Sequence, residues 1–176
     1  MIIRRTFLAL FGAALLSACA ATEPLLNLSA PSGYRVESVS IEVSSIDGLK
    51  GGRDIERSPA QIQADLTASV RAALTTASMP NGRRVAVQIQ LDNIALVGPG
   101  QAFMVGGISS ARGVLQVSDV ASGEIVVPAT EVFGTVEGWA PGGLIALANS
   151  VPPEQDYNAL ILGFASKVKA RLFGAE

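Results

Sequence analysis

Val39, Ile41 and Val43 alternate with Ser40, Glu42 and Ser44 inside the β-branched run from Tyr34 to Ile46. That period of two predicts a strand with one buried face. The polar, glycine-containing stretch 47–57 reads as a loop. Ser58-Pro59-Ala60-Gln61 then combines a serine N-cap, proline in the first turn and glutamine at N3, the pattern of a capping box. Ile62, Leu66, Val70, Ala73 and Leu74 follow at helical spacing, so an amphipathic helix is expected over 59–78, stopped by Met79-Pro80-Asn81-Gly82.

Strict alternation returns in 83–97, where Val85, Val87, Ile89 and Leu91 interleave with Ala86, Gln88, Gln90 and Asp92. The parity changes at Asp92-Asn93, ahead of Ile94 and Leu96, which predicts a bulge. Two further strands are expected over 113–120 and 124–137, joined by Ala121-Ser122-Gly123 with glycine at the left-handed turn position. Pro128 places the later one at a sheet edge or at a local break. The last element, 154–173, shows an apolar stripe of Tyr157, Leu160, Ile161, Phe164, Val168 and Leu172 behind Pro152-Pro153. Lys167, Lys169 and Arg171 sit in its final turns, where cations suit the helix dipole.

The order is β-α-β-β-β-α. It predicts an α+β two-layer sandwich: a mainly antiparallel four-stranded sheet with both helices on one face. A chain of 176 residues supports one such domain, placed at 33–176.

The N-terminus is of a different kind. Arg4 and Arg5 precede the apolar run Thr6 to Leu16, and Ser17 and Ala18 are small, so 1–18 reads as a targeting segment. Its apolar stretch falls well short of the roughly 20 residues that a spanning helix needs. Leu16-Ser17-Ala18-Cys19 resembles the lipobox of bacterial lipoproteins. The resemblance implies cleavage before Cys19, a diacylglyceryl group on its sulfur and an amide-linked acyl chain such as palmitate. Several chains give stable anchorage where one gives only marginal binding. Residues 19–32 are then the acylated cysteine and a flexible tether, able to reach about 40 Å if extended at about 3.3 Å per residue. Ala20 stands where enteric lipoproteins retained at the inner membrane carry aspartate. The resemblance therefore implies the outer membrane, with the domain facing the periplasm and the membrane itself as one partner.

Composition narrows the chemistry. The chain has no histidine and one cysteine, which excludes Ser-His-Asp and Cys-His centres and histidine-held metals. A net charge of −2, made more negative if Arg4 and Arg5 are removed, argues against a nucleic-acid partner. The glycine-rich stretch 98–113 lacks both phosphate-loop spacings and precedes a strand, so it is a hairpin connection or a partner-binding loop. Asp92, Asp119, Glu131 and Glu137 show no spacing that pairs two carboxylates for glycoside hydrolysis, and Glu131 and Glu137 would lie about 20 Å apart on one strand. Asp47, Asp54 and Glu56, interleaved with Arg53 and Arg57, match no calcium loop. No catalytic residue, metal ligand or cofactor site is expected.

One stretch stands apart. Gly138 to Val151 contains no charge and holds the only tryptophan. It is either a helical turn or two packed on the domain or a docking surface in which Trp139, Leu144, Ile145 and Leu147 meet a partner. Lipobox and element order together are similar to small proteobacterial envelope lipoproteins of unknown function, whose middle hairpins read like Gly106 to Val126 here. A weaker resemblance is to the lipopolysaccharide-assembly lipoprotein. The expectation is a non-catalytic interaction or assembly subunit with an envelope protein partner. The alternative is a carrier or chaperone of an apolar envelope molecule such as lipid or lipopolysaccharide, with a cavity lined by Leu66, Val70, Phe164 and Val168.

Overall fold

The computed structural model describes residues 23–26, 33–43, 57–98, 104, 107–136 and 151–174. Its elements are β1 (Tyr34–Val43), α1 (Pro59–Ala77), β2 (Arg83–Ala95), β3 (Ser110–Asp119), β4 (Ile125–Thr135) and α2 (Pro153–Phe173). The expected order and the α+β class hold. The sheet is mixed: its strand order is β1-β2-β3-β4, with β1 parallel to β2 and the other two pairs antiparallel. α1 is the crossover that a parallel pair requires.

Local signals act where the sequence places them. Ser58 Oγ accepts from Gln61 N–H at 3.3 Å, and Gln61 Oε1 accepts from Ser58 N–H at 2.8 Å, completing the capping box. The β2–β3 register shifts between Leu91 and Asn93, so Asp92 is the extra residue of the expected bulge. Gly123 has φ of 72°, the left-handed turn position. Pro128 lies on the edge strand beside an irregularity in the β3–β4 register, where its missing N–H breaks no inner ladder. β3 begins at Ser110, earlier than the expected 113, because Ala111 still pairs with Ile94 beyond the bulge.

Both helices cover one sheet face. Val39, Ile41, Val85, Val87, Ile89 and Leu91 turn toward α1 and α2 and are closed from solvent. Leu115, Val117, Val127 and Val132 continue that face across β3 and β4. The helices run side by side in the same direction: Tyr157 meets Asp65 near their N-terminal ends, and Lys169 shares a groove with Thr76 near their C-terminal ends. α2 approaches β4 closely because two glycines meet there. A Cβ on Gly134 would stand 2.6 Å from Phe164 Cα, and one on Gly163 would strike Thr135 O.

The tether expected over 19–32 is shortened by the structure. Leu26 is fully buried in the core, and Leu25 packs against it. Leu25 N–H donates to Arg171 O at 3.0 Å and Leu26 N–H to Leu172 O at 2.9 Å. Arg171 Nη1 also donates to Glu23 O at 3.2 Å. Glu23–Leu26 thus satisfy carbonyls that a helix C-terminus leaves open, and they belong to the domain.

Candidate functional site

Cys19, Trp139, Leu144, Ile145 and Leu147 lie outside the described residues, as do Asp47, Asp54, Glu56 and Glu137. What the structure does place is the surface around the helices and two polar clusters, one at each end of the domain.

The first cluster joins the start of α1 to the start of α2. Tyr157 Oη donates to Asp65 Oδ2 at 2.9 Å. Arg57 reaches Asp65 Oδ2 at 3.1 Å and Glu154 Oε2 at 2.8 Å, with its guanidinium 5.1 Å from the Tyr157 ring centroid. Burial and the Asp65 carboxylate hold the Tyr157 phenol well above its ordinary value, so it stays neutral as a donor. Nearby, Ser109 Oγ donates to Asp156 Oδ2 at 2.5 Å and accepts from Val97 N–H at 3.0 Å. Ser109 and Asp156 are both buried, and they tie the first turn of α2 to the segment between β2 and β3.

The second cluster lies at the opposite end of the sheet. Arg83 Nε donates to Asp119 Oδ2 at 2.6 Å, and its Nη2 donates to Glu124 Oε2 at 3.0 Å. Asp119 Oδ1 accepts from Ala121 N–H, Ser122 N–H and Ser122 Oγ, pinning the β3–β4 turn. The Arg83 bond, followed by the Ser122 bonds, holds the Asp119 carboxyl well below its ordinary range. Both clusters use their carboxylates to fix segments of chain, which is structural work.

Among the described residues, the acids weighed for hydrolysis are spread over three strands. Asp119 closes the β3–β4 turn, Asp92 occupies the β2 bulge at the far end of the strands, and Glu131 faces Arg112 at 3.7 Å. Among the described residues no group of three histidine, cysteine, aspartate or glutamate side chains could hold a metal ion. No described helix is long and apolar enough to cross a membrane.

Leu66, Val70, Phe164 and Val168 are fully buried within the core cluster. The grooves seen among the described residues open instead on the outer side of the helix pair, and none is lined by those four. One, about 590 Å³, runs between α1 and α2 past Ala68, Ala72, Ala73, Ala165 and Leu162. Leu162 stands 65% exposed there. A neighbouring groove of about 340 Å³ continues it toward Arg57 and Asp65.

The link between Leu26 and the α2 C-terminus, the Ser109–Asp156 bond and the Asp65–Tyr157 bond all escaped the sequence reading. Only the first left a trace there, in the paired leucines at 25 and 26.

No family model matches the chain, and no curated protein matches it. Among solved structures it is similar to a single-substitution variant of the PelC dodecamer from Paraburkholderia phytofirmans, at 21% identity and a TM-score of 0.35, covering 78% of this chain and 87% of that one. It is similar also to a protein from Caulobacter crescentus provisionally classed as a lipoprotein, at 14% identity and a TM-score of 0.36, covering 75% and 86%. A hypothetical protein from Chlamydia trachomatis, CT253, aligns at 7% identity and a TM-score of 0.37 over 81% and 98%. The architecture described above rests on this chain's own strand pairing and burial, independently of these likenesses.

Proposed function

We propose that the protein is a lipid-anchored envelope protein, held by acylated Cys19 in the outer membrane with its domain in the periplasm, and that it works as a non-catalytic interaction or assembly subunit. The observation that carries the proposal is the register of Arg4 and Arg5, the short apolar run and Leu16-Ser17-Ala18-Cys19. The non-catalytic part is supported by the engagement of Asp65 and Asp119, which fix helix and turn and accept several hydrogen bonds each. Leu66, Val70, Phe164 and Val168 all belong to the buried core cluster, which supports this role over that of a carrier. The uncharged stretch 138–151, with Trp139, Leu144, Ile145 and Leu147, has the composition of a contact for an envelope protein partner.

Membrane fractionation tests the anchorage. The wild-type chain should sediment with outer membranes after a high-salt wash, and Cys19→Ala should persist as an unprocessed precursor lacking acyl chains. A Cys19→Ala chain that is processed and fractionates like wild type would contradict the proposal.

A further inference from the structure

The docking of Glu23–Leu26 decides which end of the domain stands nearest its anchor. Leu26 is bonded to Leu172, at the C-terminal end of α2, and Cys19 stands four residues before Glu23. A chain covers at most about 3.6 Å per residue, so lipid on Cys19 would lie within about 14 Å of Glu23. That leash is shorter than the domain is wide.

The leashed end gathers the C-termini of both helices and the starts of β1, β2 and β4. Met79 N–H bonds Tyr34 O there, and Val120 N–H bonds Arg84 O. Its cations are Arg35, Arg83, Arg84, Lys167, Lys169 and Arg171. Four carboxylates share this end: Glu37 is held by Arg84 at 3.3 Å, Asp119 and Glu124 by Arg83 at 2.6 and 3.0 Å, and Glu23 lies exposed beside Arg171. Arg35 and Lys167 are exposed, and neither forms an ion pair among the described residues. Met79, Val120 and Ile125 rise from the same end, 45%, 40% and 56% exposed.

The opposite end carries Glu42, Asp65, Asp92, Glu131, Glu154 and Asp156 against Arg57 and Arg112. Among the described residues, therefore, one end of the domain is basic and the other acidic. Charge near a surface acts over a Debye length, about 8 Å at physiological salt, so a short leash brings the cations into range and leaves the acids outside it.

We propose that the basic end, from Met79 to Arg84 and across the Val120–Ile125 turn to Lys167, seats on the phosphate-bearing headgroup layer of the membrane that holds Cys19. This rests on the lipoprotein reading of Cys19. The cations meet lipid phosphates, Met79, Val120 and Ile125 enter the interface, and the acidic end with the start of α2 points into the periplasm. The acyl chains supply attachment, and the basic end supplies orientation.

The test uses the full acylated protein in vesicles of phosphatidylethanolamine and phosphatidylglycerol that carry a nitroxide on the headgroup. Because acylation consumes Cys19, Asn81→Cys, Ala121→Cys and Asp92→Cys each offer a single thiol for a fluorophore at an exposed position. Intact mass reports acylation separately. Quenching at positions 81 and 121 should exceed that at 92 several-fold, since a headgroup nitroxide quenches only near contact and position 92 lies at the far end of the strands. Lys167→Glu combined with Arg35→Glu should shrink that ratio. Equal quenching at all three positions in a protein of acylated mass overturns the orientation and leaves the lipoprotein reading standing. A protein of unacylated mass overturns both.

Discussion

On one face of the sheet Val87, Ile89, Leu115 and Val117 are closed from solvent beneath two helices; on the other, Gln88, Gln90, Gln116 and Ser118 turn away from them. The two sets alternate along the same two strands, so backbone hydrogen bonding is common to both. What differs is burial, and burial is what fixes register. A one-residue slip of β2 would carry Val85, Val87, Ile89 and Leu91 outward and bring glutamines beneath α1 and α2. The covered face therefore specifies the fold, and the open face is free to vary.

The comparison breaks most sharply at neighbouring positions. Val87→Asp puts an unpaired carboxylate in the core and should unfold the domain or cost on the order of 3–5 kcal/mol. Gln88→Asp, exposed one residue later, should stay within about 0.5 kcal/mol of wild type. Denaturant titration of both measures the difference.

A smaller effect is expected where α2 touches the covered face. Gly134→Ala drives a methyl into the Phe164 backbone, an overpacking that should cost about 1–3 kcal/mol. Gly123→Ala, whose Cβ would meet open space but whose φ is 72°, should cost only about 1 kcal/mol. Melting curves that rank the two in the reverse order would show that the helix stands further from β4.

The smallest effects are pH limbs set at the rims of the covered face. Asp119 is held below the ordinary aspartate value of 3.8, so its bonds with Arg83 and Ser122 contribute stability above that pH and are lost as pH falls below it. Tyr157 is held above the ordinary value of 10.0, so its neutral bond to Asp65 contributes below that pH and is lost as pH rises past it. Asp119→Asn should flatten the acid limb alone, and Tyr157→Phe the alkaline limb alone, in melting temperature against pH.

Alternation and capping make the elements legible in the sequence: Val85 to Leu91 for β2, Ser58 and Gln61 for the start of α1, Asp92 for the bulge. These are local effects, carried by residues within a few positions of one another. The parallel pairing of β1 with β2 was not legible, because alternation alone carries no strand direction. Nor were Asp65 with Tyr157, Ser109 with Asp156, or Leu26 with Leu172, since each joins distant segments through a contact with no period. Glu23–Leu26 read as tether for that reason: two prolines and no repeat mask a leucine that is fully buried. The glycines at 134 and 163 carry no mark of the helix-to-strand contact they permit. Of the candidate site, the sequence bears Leu16-Ser17-Ala18-Cys19 and the uncharged stretch with Trp139, while the segregation of charge between the two ends needed the fold.

Everything proposed about location and orientation depends on Cys19. The direct measurement is mass spectrometry of the N-terminal peptide of the mature protein taken from membranes. The mature chain should begin at Cys19 and carry a diacylglyceryl group and an amide-linked acyl chain. An N-terminus elsewhere, or an unmodified thiol at Cys19, would contradict it.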